Sequence, residues 1–201
     1  TLDIFATSVI GPCFFKPSTV DDLVEYCRII AAAAPSKGFY YYHSGMSGLS
    51  LDMEQFLIAA ADKIPNLSGM KFNSADMYEF QRCLRVNNRQ FDIPFGVDEF
   101  LPAGLACGAV GAVGSTYNYA APLYHRLIDS FNRGDHQDVA ACMDKVIAII
   151  RVLIQYGGVA AGKLAMQLHS IDVGDPRRPL RPMTSEQKRV ALDAFRAADF
   201  I

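Results

Sequence analysis

Short apolar runs alternate with amphipathic stretches over the first 115 residues of the chain. The apolar runs predict five β-strands, at residues 2–10, 39–43, 67–72, 91–95 and 109–114. The stretches between them place apolar residues at helical spacing and predict four helices, at residues 19–34, 52–63, 74–85 and 99–107. Strands that alternate with helices through short connections are typical of parallel βαβ units. The pattern therefore predicts an α/β fold.

The pattern changes after Ser115, beyond which only helices are predicted. They lie at residues 122–133, 136–156, 159–169 and 185–198. Segment 176–182 is rich in proline and arginine and predicts an extended surface strap. We expect residues 1–119 and 120–201 to belong to the same domain. The chain enters directly on a buried strand and has no initiator methionine, so we also expect it to be a partial sequence.

Composition narrows the classes of function. The formal net charge is -2 with both signs interspersed, which gives no reason to expect nucleic acid or a membrane surface as partner. No apolar run approaches the roughly 18–20 residues that span a bilayer. The five cysteines are widely spaced and predict free thiols in a reducing, cytoplasmic compartment. The histidines lack ligand spacing, so we expect no metal site.

Polar residues follow several predicted strands at their carboxyl ends. Lys71 ends the third strand and Tyr42 the second, Asp98 and Glu99 follow the fourth, and Ser115 follows the fifth. These ends meet at one edge of a parallel sheet, where a lysine with apolar neighbours is a candidate Schiff-base amine. From spacing alone the alternatives stay open, since the lysine could be solvated, the tyrosine part of an aromatic core, and the acidic pair a helix start.

Four segments together carry a resemblance to a known family. They are FYYYH at 39–43, GMKF at 69–72, FGVDE at 95–99 and GAVGSTYNY at 111–119. In this order they resemble the N-acetylneuraminate lyases, a family of class I, pyruvate-dependent aldolases, and the resemblance covers essentially the whole chain. A dihydrodipicolinate synthase would be expected to carry an arginine soon after the tyrosine motif, and none occurs between Tyr42 and Lys71.

The resemblance implies a fold, an activity and a set of site residues. The fold is a (β/α)8 TIM barrel, of which this chain covers about strands 4–8 and a C-terminal helical extension. The activity is the reversible retro-aldol cleavage of N-acetylneuraminate to N-acetylmannosamine and pyruvate, with no cofactor beyond the covalent imine. The protein would be a homotetramer whose partner is a small sugar acid. Lys71 matches the imine-forming lysine and Tyr42 the proton-relaying tyrosine, while the sugar-binding positions are Asn73, Gly96, Asp98, Glu99 and Ser115.

The chain departs from the family pattern in two places. The family has a proline two residues after the position of His43, whereas the run Ser44–Gly48 lacks it and is one residue shorter, so we expect an altered loop beside Tyr42. Barrel strands 1–3, with the Gly-[Ser/Thr]-Thr-Gly-Glu loop that holds the pyruvyl carboxylate, have no counterpart here. Two alternatives follow, an aldolase for another 2-keto-3-deoxy sugar acid and a non-catalytic fragment or paralogue that keeps only subunit contacts.

Overall fold

Three parallel strands form the regular part of the sheet within residues 3–200, which the computed structural model describes. They are β1 (Ala6–Ile10), β2 (Gly38–Ser44) and β3 (Leu67–Asn73), in the order β1-β2-β3. Helix α1 (Val20–Ala31) connects the first pair and α2 (Met53–Lys63) the second. Parallel neighbours joined by helices confirm the α/β class predicted from the alternating pattern.

The fourth and fifth predicted strands continue the sheet in a less regular form. Phe72 N–H donates to the Pro94 carbonyl over 3.0 Å, and its own carbonyl accepts from Gly96 N–H over 2.7 Å. Phe95 N–H then donates to the Gly111 carbonyl over 3.0 Å. These segments form isolated parallel bridges, because Pro94 has no N–H and glycine weakens an extended segment. The prediction of regular strands at 91–95 and 109–114 is therefore wrong in extent, although the parallel order is kept.

Side chains alternate between the two faces of β2 and β3. On one face Tyr41 packs against Phe56 of α2, with ring centroids 4.7 Å apart. Phe72 packs on the same face against Phe80 of α3 (Met77–Cys83), with centroids 5.1 Å apart. All four rings are fully buried, so this face forms the core. The other face carries the polar positions Tyr40, Tyr42, Ser44, Lys71 and Asn73.

The first strand is shorter and more exposed than predicted. The sequence predicts a buried strand over residues 2–10, but β1 begins at Ala6, and both Ser8 and Ile10 are exposed. Residue 2 lies outside the described residues. Within residues 3–200 β1 pairs only with β2, so no second strand covers its free edge.

The remaining helices follow the predicted order. They are α4 (Leu101–Ala106), α5 (Tyr117–Asn132), α6 (His136–Tyr156), α7 (Gly158–Ala165) and α8 (Ser185–Ala197). Helix α5 begins five residues before the predicted start at 122. It bends at Ala120, because Pro122 has no N–H and cannot donate the backbone hydrogen bond that a straight helix requires. None of the helices in residues 3–200 is long and apolar enough to cross a membrane.

The chain divides into two compact units. One holds residues 1–97 and 103–113, and the other holds residues 98–102 and 114–201. The sheet belongs to the first unit, and α5 to α8 belong to the second. The proposed boundary at residue 119 within one domain stays a prediction.

Candidate active site

Four polar side chains form a block at the carboxyl end of β2 and β3. Tyr42 is paired with Lys71 in the strand register, and Ser44 is paired with Asn73. Positions two apart on a strand point to the same face, so all four side chains lie on the face opposite the buried Phe72. The predicted convergence of Tyr42 and Lys71 follows directly from this register.

The Lys71 amine lies over the face of the Tyr42 ring. Its Nζ is 4.0 Å from the ring centroid, within the range of a cation–π contact. Lys71 is partly buried, and no carboxylate among residues 3–200 forms an ion pair with its amine. A nucleophilic amine and a phenol are thus held side by side, with no carboxylate holding the amine.

Asn73 connects the second pair of the block to the first. Its Nδ2 donates to the Tyr42 hydroxyl over 3.4 Å and to Ser44 Oγ over 3.2 Å. The phenol oxygen of Tyr42 therefore accepts a hydrogen bond from the protein. Ser44 is absent from the site residues predicted from sequence. Its position two residues after Tyr42 was the available signal, because that spacing places both on one face of β2.

Gly96 packs directly against this block. A Cβ at Gly96 would lie 2.9 Å from Lys71 Cε, 2.9 Å from Asn73 Cβ and 3.0 Å from the Phe72 carbonyl oxygen. These distances are shorter than ordinary carbon contacts of about 3.5–4.0 Å. Gly96, a predicted sugar-binding position, has no side chain, and the Lys71 side chain occupies the space that a Cβ there would need.

A cavity of about 400 Å³ opens on the polar face, and Tyr42 and Lys71 are part of its wall. Pockets for small molecules fall in this size range. Tyr40, also in the wall, donates its hydroxyl to Asp92 Oδ2 over 2.9 Å. Burial and this bond raise the pKa of Tyr40 to about 12. Tyr40 therefore stays a protonated phenol near neutral pH and is not a base.

The loop beside Tyr42 is closed by its own hydrogen bonds. Residues Gly45–Ser47 form one turn of 3₁₀ helix, and Ser44 Oγ accepts from Met46 N–H over 3.3 Å. Gly48 ends the turn at a φ of 63°, a conformation that favours glycine. Lys16 Nζ donates to the Gly48 carbonyl over 3.1 Å. The expectation that this loop is altered relative to the family pattern stays a prediction.

Asp98 belongs to the second unit, and its carboxylate is buried. Its Oδ2 accepts from the Thr116 backbone N–H over 3.1 Å and from Thr116 Oγ1 over 2.6 Å. A Cβ at Gly114 would overlap the Asp98 carboxylate, so the backbone of residue 114 also lies against this group. Asp98 thereby fixes the segment that carries Ser115. Glu99 and Ser115 themselves are exposed.

The seven predicted site residues thus fall into two groups. The structure brings Tyr42, Lys71, Asn73 and Gly96 together in the first unit. In the second unit Asp98 is hydrogen-bonded to Thr116, the residue after Ser115. Glu99, the residue after Asp98, is exposed.

Comparison with known proteins identifies the family. The model of the dihydrodipicolinate synthetase family matches residues 3–198. The chain belongs to this family. Over 198 residues this family member is 39% identical to N-acetylneuraminate lyase of Mus musculus, an alignment that covers 96% of this chain and 62% of the mouse protein. The resemblance read from the four motifs is confirmed, and the chain spans about 62% of the length of that curated relative.

Solved structures of the family share the fold of this member. N-acetylneuraminate lyase of Proteus mirabilis is 79% identical with a TM-score of 0.99, covering 100% of this chain and 68% of that one. The enzyme of Aliivibrio salmonicida is 66% identical with a TM-score of 0.98, covering 100% and 67%. The predicted fold class, the barrel fold of this family, is therefore confirmed.

Proposed function

We propose that this protein is an N-acetylneuraminate lyase that cleaves its substrate through a Schiff base on Lys71. The observation that carries the proposal is the Lys71 Nζ held 4.0 Å from the centroid of the Tyr42 ring. The similarity to N-acetylneuraminate lyases from mouse and Proteus mirabilis supports this choice within the family. A small sugar acid is the proposed substrate, and a cytoplasmic homotetramer stays a prediction.

The proposed reaction begins with attack of the neutral Lys71 amine on the C2 ketone of open-chain N-acetylneuraminate. Loss of water gives a protonated imine, which can accept an electron pair. The Tyr42 hydroxyl relays the proton of the C4 hydroxyl to water, giving up its own proton as it accepts this one, while the C3–C4 bond breaks and N-acetylmannosamine leaves as an aldehyde. The bond electrons form an enamine on Lys71. Protonation at C3 and hydrolysis of the imine then release pyruvate and restore the amine.

The other site residues have two proposed tasks. Asn73 and Gly96 shape the space around the amine and phenol, as their contacts with Lys71 and Tyr42 suggest. Glu99 and Ser115 hold the hydroxyls of the sugar chain, and Asp98 keeps the Ser115 segment in place through Thr116. Several fixed polar partners allow a long polyol to be distinguished from shorter sugars. The covalent imine takes the place of an organic cofactor.

Borohydride trapping with pyruvate tests the proposal. Reduction should fix a pyruvyl adduct on Lys71, located by mass spectrometry of the digested protein. Lys71→Met should lose the adduct, while Lys63→Met, which changes an exposed lysine paired with Asp21 over 2.8 Å, should keep it. Wild-type protein without an adduct on Lys71 would overturn the scheme. A panel of shorter 2-keto-3-deoxy sugar acids then measures substrate preference.

A further inference from the structure

Ser44 is a buried side chain that the proposed reaction does not use. It is 1% exposed and ends β2, directly opposite Asn73 in the register. Its Oγ lies 3.2 Å from Asn73 Nδ2, and the same nitrogen lies 3.4 Å from the Tyr42 hydroxyl. A carboxamide NH₂ carries two hydrogens, so both bonds form at once. The Asn73 amide therefore bridges Ser44 and Tyr42.

This bridge restricts the one loose torsion of the Asn73 side chain. The terminal torsion of asparagine is broad when nothing fixes the amide plane. Two acceptors bound to the same nitrogen restrict that plane, and Ser44 is the acceptor that is not itself a reacting group. Ser44 Oγ is itself held, because it accepts from Met46 N–H in the turn that follows.

We propose that Ser44 is a positioning residue for Tyr42. It orients the Asn73 amide so that the amide donates to the Tyr42 hydroxyl and holds the phenol beside the Lys71 amine. The ring is then fixed at its oxygen by Asn73 and at its face by Lys71. Proton transfer depends on such placement, since a misplacement of about 1 Å can slow a reaction about 100-fold. This inference rests on the proposed function.

The first test does not depend on activity. Protein labelled with ¹³Cζ-tyrosine reports the hydrogen bond at each phenol oxygen, and Tyr42→Phe identifies the Tyr42 signal. Ser44→Ala should move that signal. The matched control is Ser68→Ala, at the opposite end of β3, whose Oγ lies 3.4 Å from the Asn66 carbonyl oxygen and should leave the Tyr42 signal in place. A Tyr42 signal that stays at its wild-type position in Ser44→Ala overturns the proposal.

The second test separates positioning from a general loss of structure. Ser44→Ala should lower kcat for cleavage by roughly 10-fold or more while leaving KM and the borohydride adduct on Lys71 nearly unchanged. In the Asn73→Ala background the same substitution should have no further effect on kcat, because its path to Tyr42 is already cut. Independent, multiplying losses in the double variant would contradict the proposal. Failure of the proposed function is a different result, namely no adduct in wild-type protein.

Discussion

Gly96→Ala tests whether empty space at this position keeps the Lys71 amine in place. The added methyl would lie 2.9 Å from Lys71 Cε, 2.9 Å from Asn73 Cβ and 3.0 Å from the Phe72 carbonyl oxygen. Two of these neighbours are held by the backbone of β3, and the Phe72 carbonyl also accepts from Gly96 N–H over 2.7 Å. The lysine stem is the most movable of the three, so we expect it to be displaced.

The size of the effect follows from overpacking. Each contact falls short of ordinary separation by about 0.5–1 Å, and inserting a methyl group into such a site costs about 1–3 kcal/mol. The midpoint of thermal unfolding should fall by about 2–4 °C for each kcal/mol in a chain of this size. Displacement of the amine should slow borohydride-trapped imine formation by about 10–100-fold.

Gly111→Ala is the matched control. Its carbonyl accepts from Phe95 N–H in the neighbouring bridge, but no atom lies within 4 Å of a Cβ built at Gly111. We expect the same unfolding midpoint as wild type, or a slightly higher one, because alanine restricts the unfolded chain. Thermal unfolding and pyruvate trapping are measured on both variants. If Gly96→Ala matches Gly111→Ala in both assays, the packing argument is refuted.

Three further predictions concern single side chains. Tyr42→Phe should lower kcat for cleavage by about 10²–10⁴-fold while the borohydride adduct still forms, because the phenol acts after imine formation. Asp98→Ala should lower the free energy of unfolding in urea by roughly 1–3 kcal/mol, because two buried Thr116 donors lose their acceptor. Burial lowers the pKa of His43 from its usual 6.5, so the unfolded chain binds more protons and stability should fall as pH drops below about 6.5. His43→Phe should flatten this decline in thermal melts between about pH 7.5 and 5.5.

The predictions for Asp98 and His43 each have a control variant on the same chain. Glu99→Ala removes an exposed carboxylate and should change the free energy of unfolding by no more than about 0.5 kcal/mol. His125→Phe replaces an exposed histidine and is melted over the same pH range as the control for the histidine-to-phenylalanine change itself. Glu79 Oε2 lies 3.9 Å from His43 Nε2, and burial raises the pKa of this carboxyl group. A raised pKa makes the folded state bind more protons, so Glu79 increases stability as the pH falls, opposite to His43. Glu79 is present in the wild type and in His43→Phe. If stability falls with decreasing pH as steeply in His43→Phe as in the wild type, the assignment of this decline to His43 is contradicted.

Hydrophobic periodicity was sufficient to predict the most regular elements. Strands predicted at 39–43 and 67–72 lie at Gly38–Ser44 and Leu67–Asn73, and helix 136–156 has its predicted bounds. Periodicity did not predict where a helix begins when a single capping side chain sets its first residue. Helix α3 begins at Met77 instead of residue 74, because Asp76 Oδ1 accepts from Glu79 N–H over 2.8 Å and caps the helix there.

The site shows the same division between what a single sequence contains and what it lacks. Lys71 and Tyr42 could be placed together because strand ends of a parallel sheet share an edge. The task of Ser44 could not be predicted, because it depends on the pairing of Ser44 with Asn73 between two strands. Register between strands is set by packing of the whole sheet and is not written in either strand alone.

That register links the core to the chemistry. The alternation that buries Tyr41 and Phe72 under the helices also brings Tyr42 and Lys71 to the opposite face. A slip of β3 by one residue would turn Phe72 towards the cavity and Lys71 into the core, where an unpaired ammonium is costly. The apolar packing of Phe72 therefore stabilises the placement of the amine as well as the fold. Core substitutions that loosen β3 should consequently reduce imine formation before they unfold the protein.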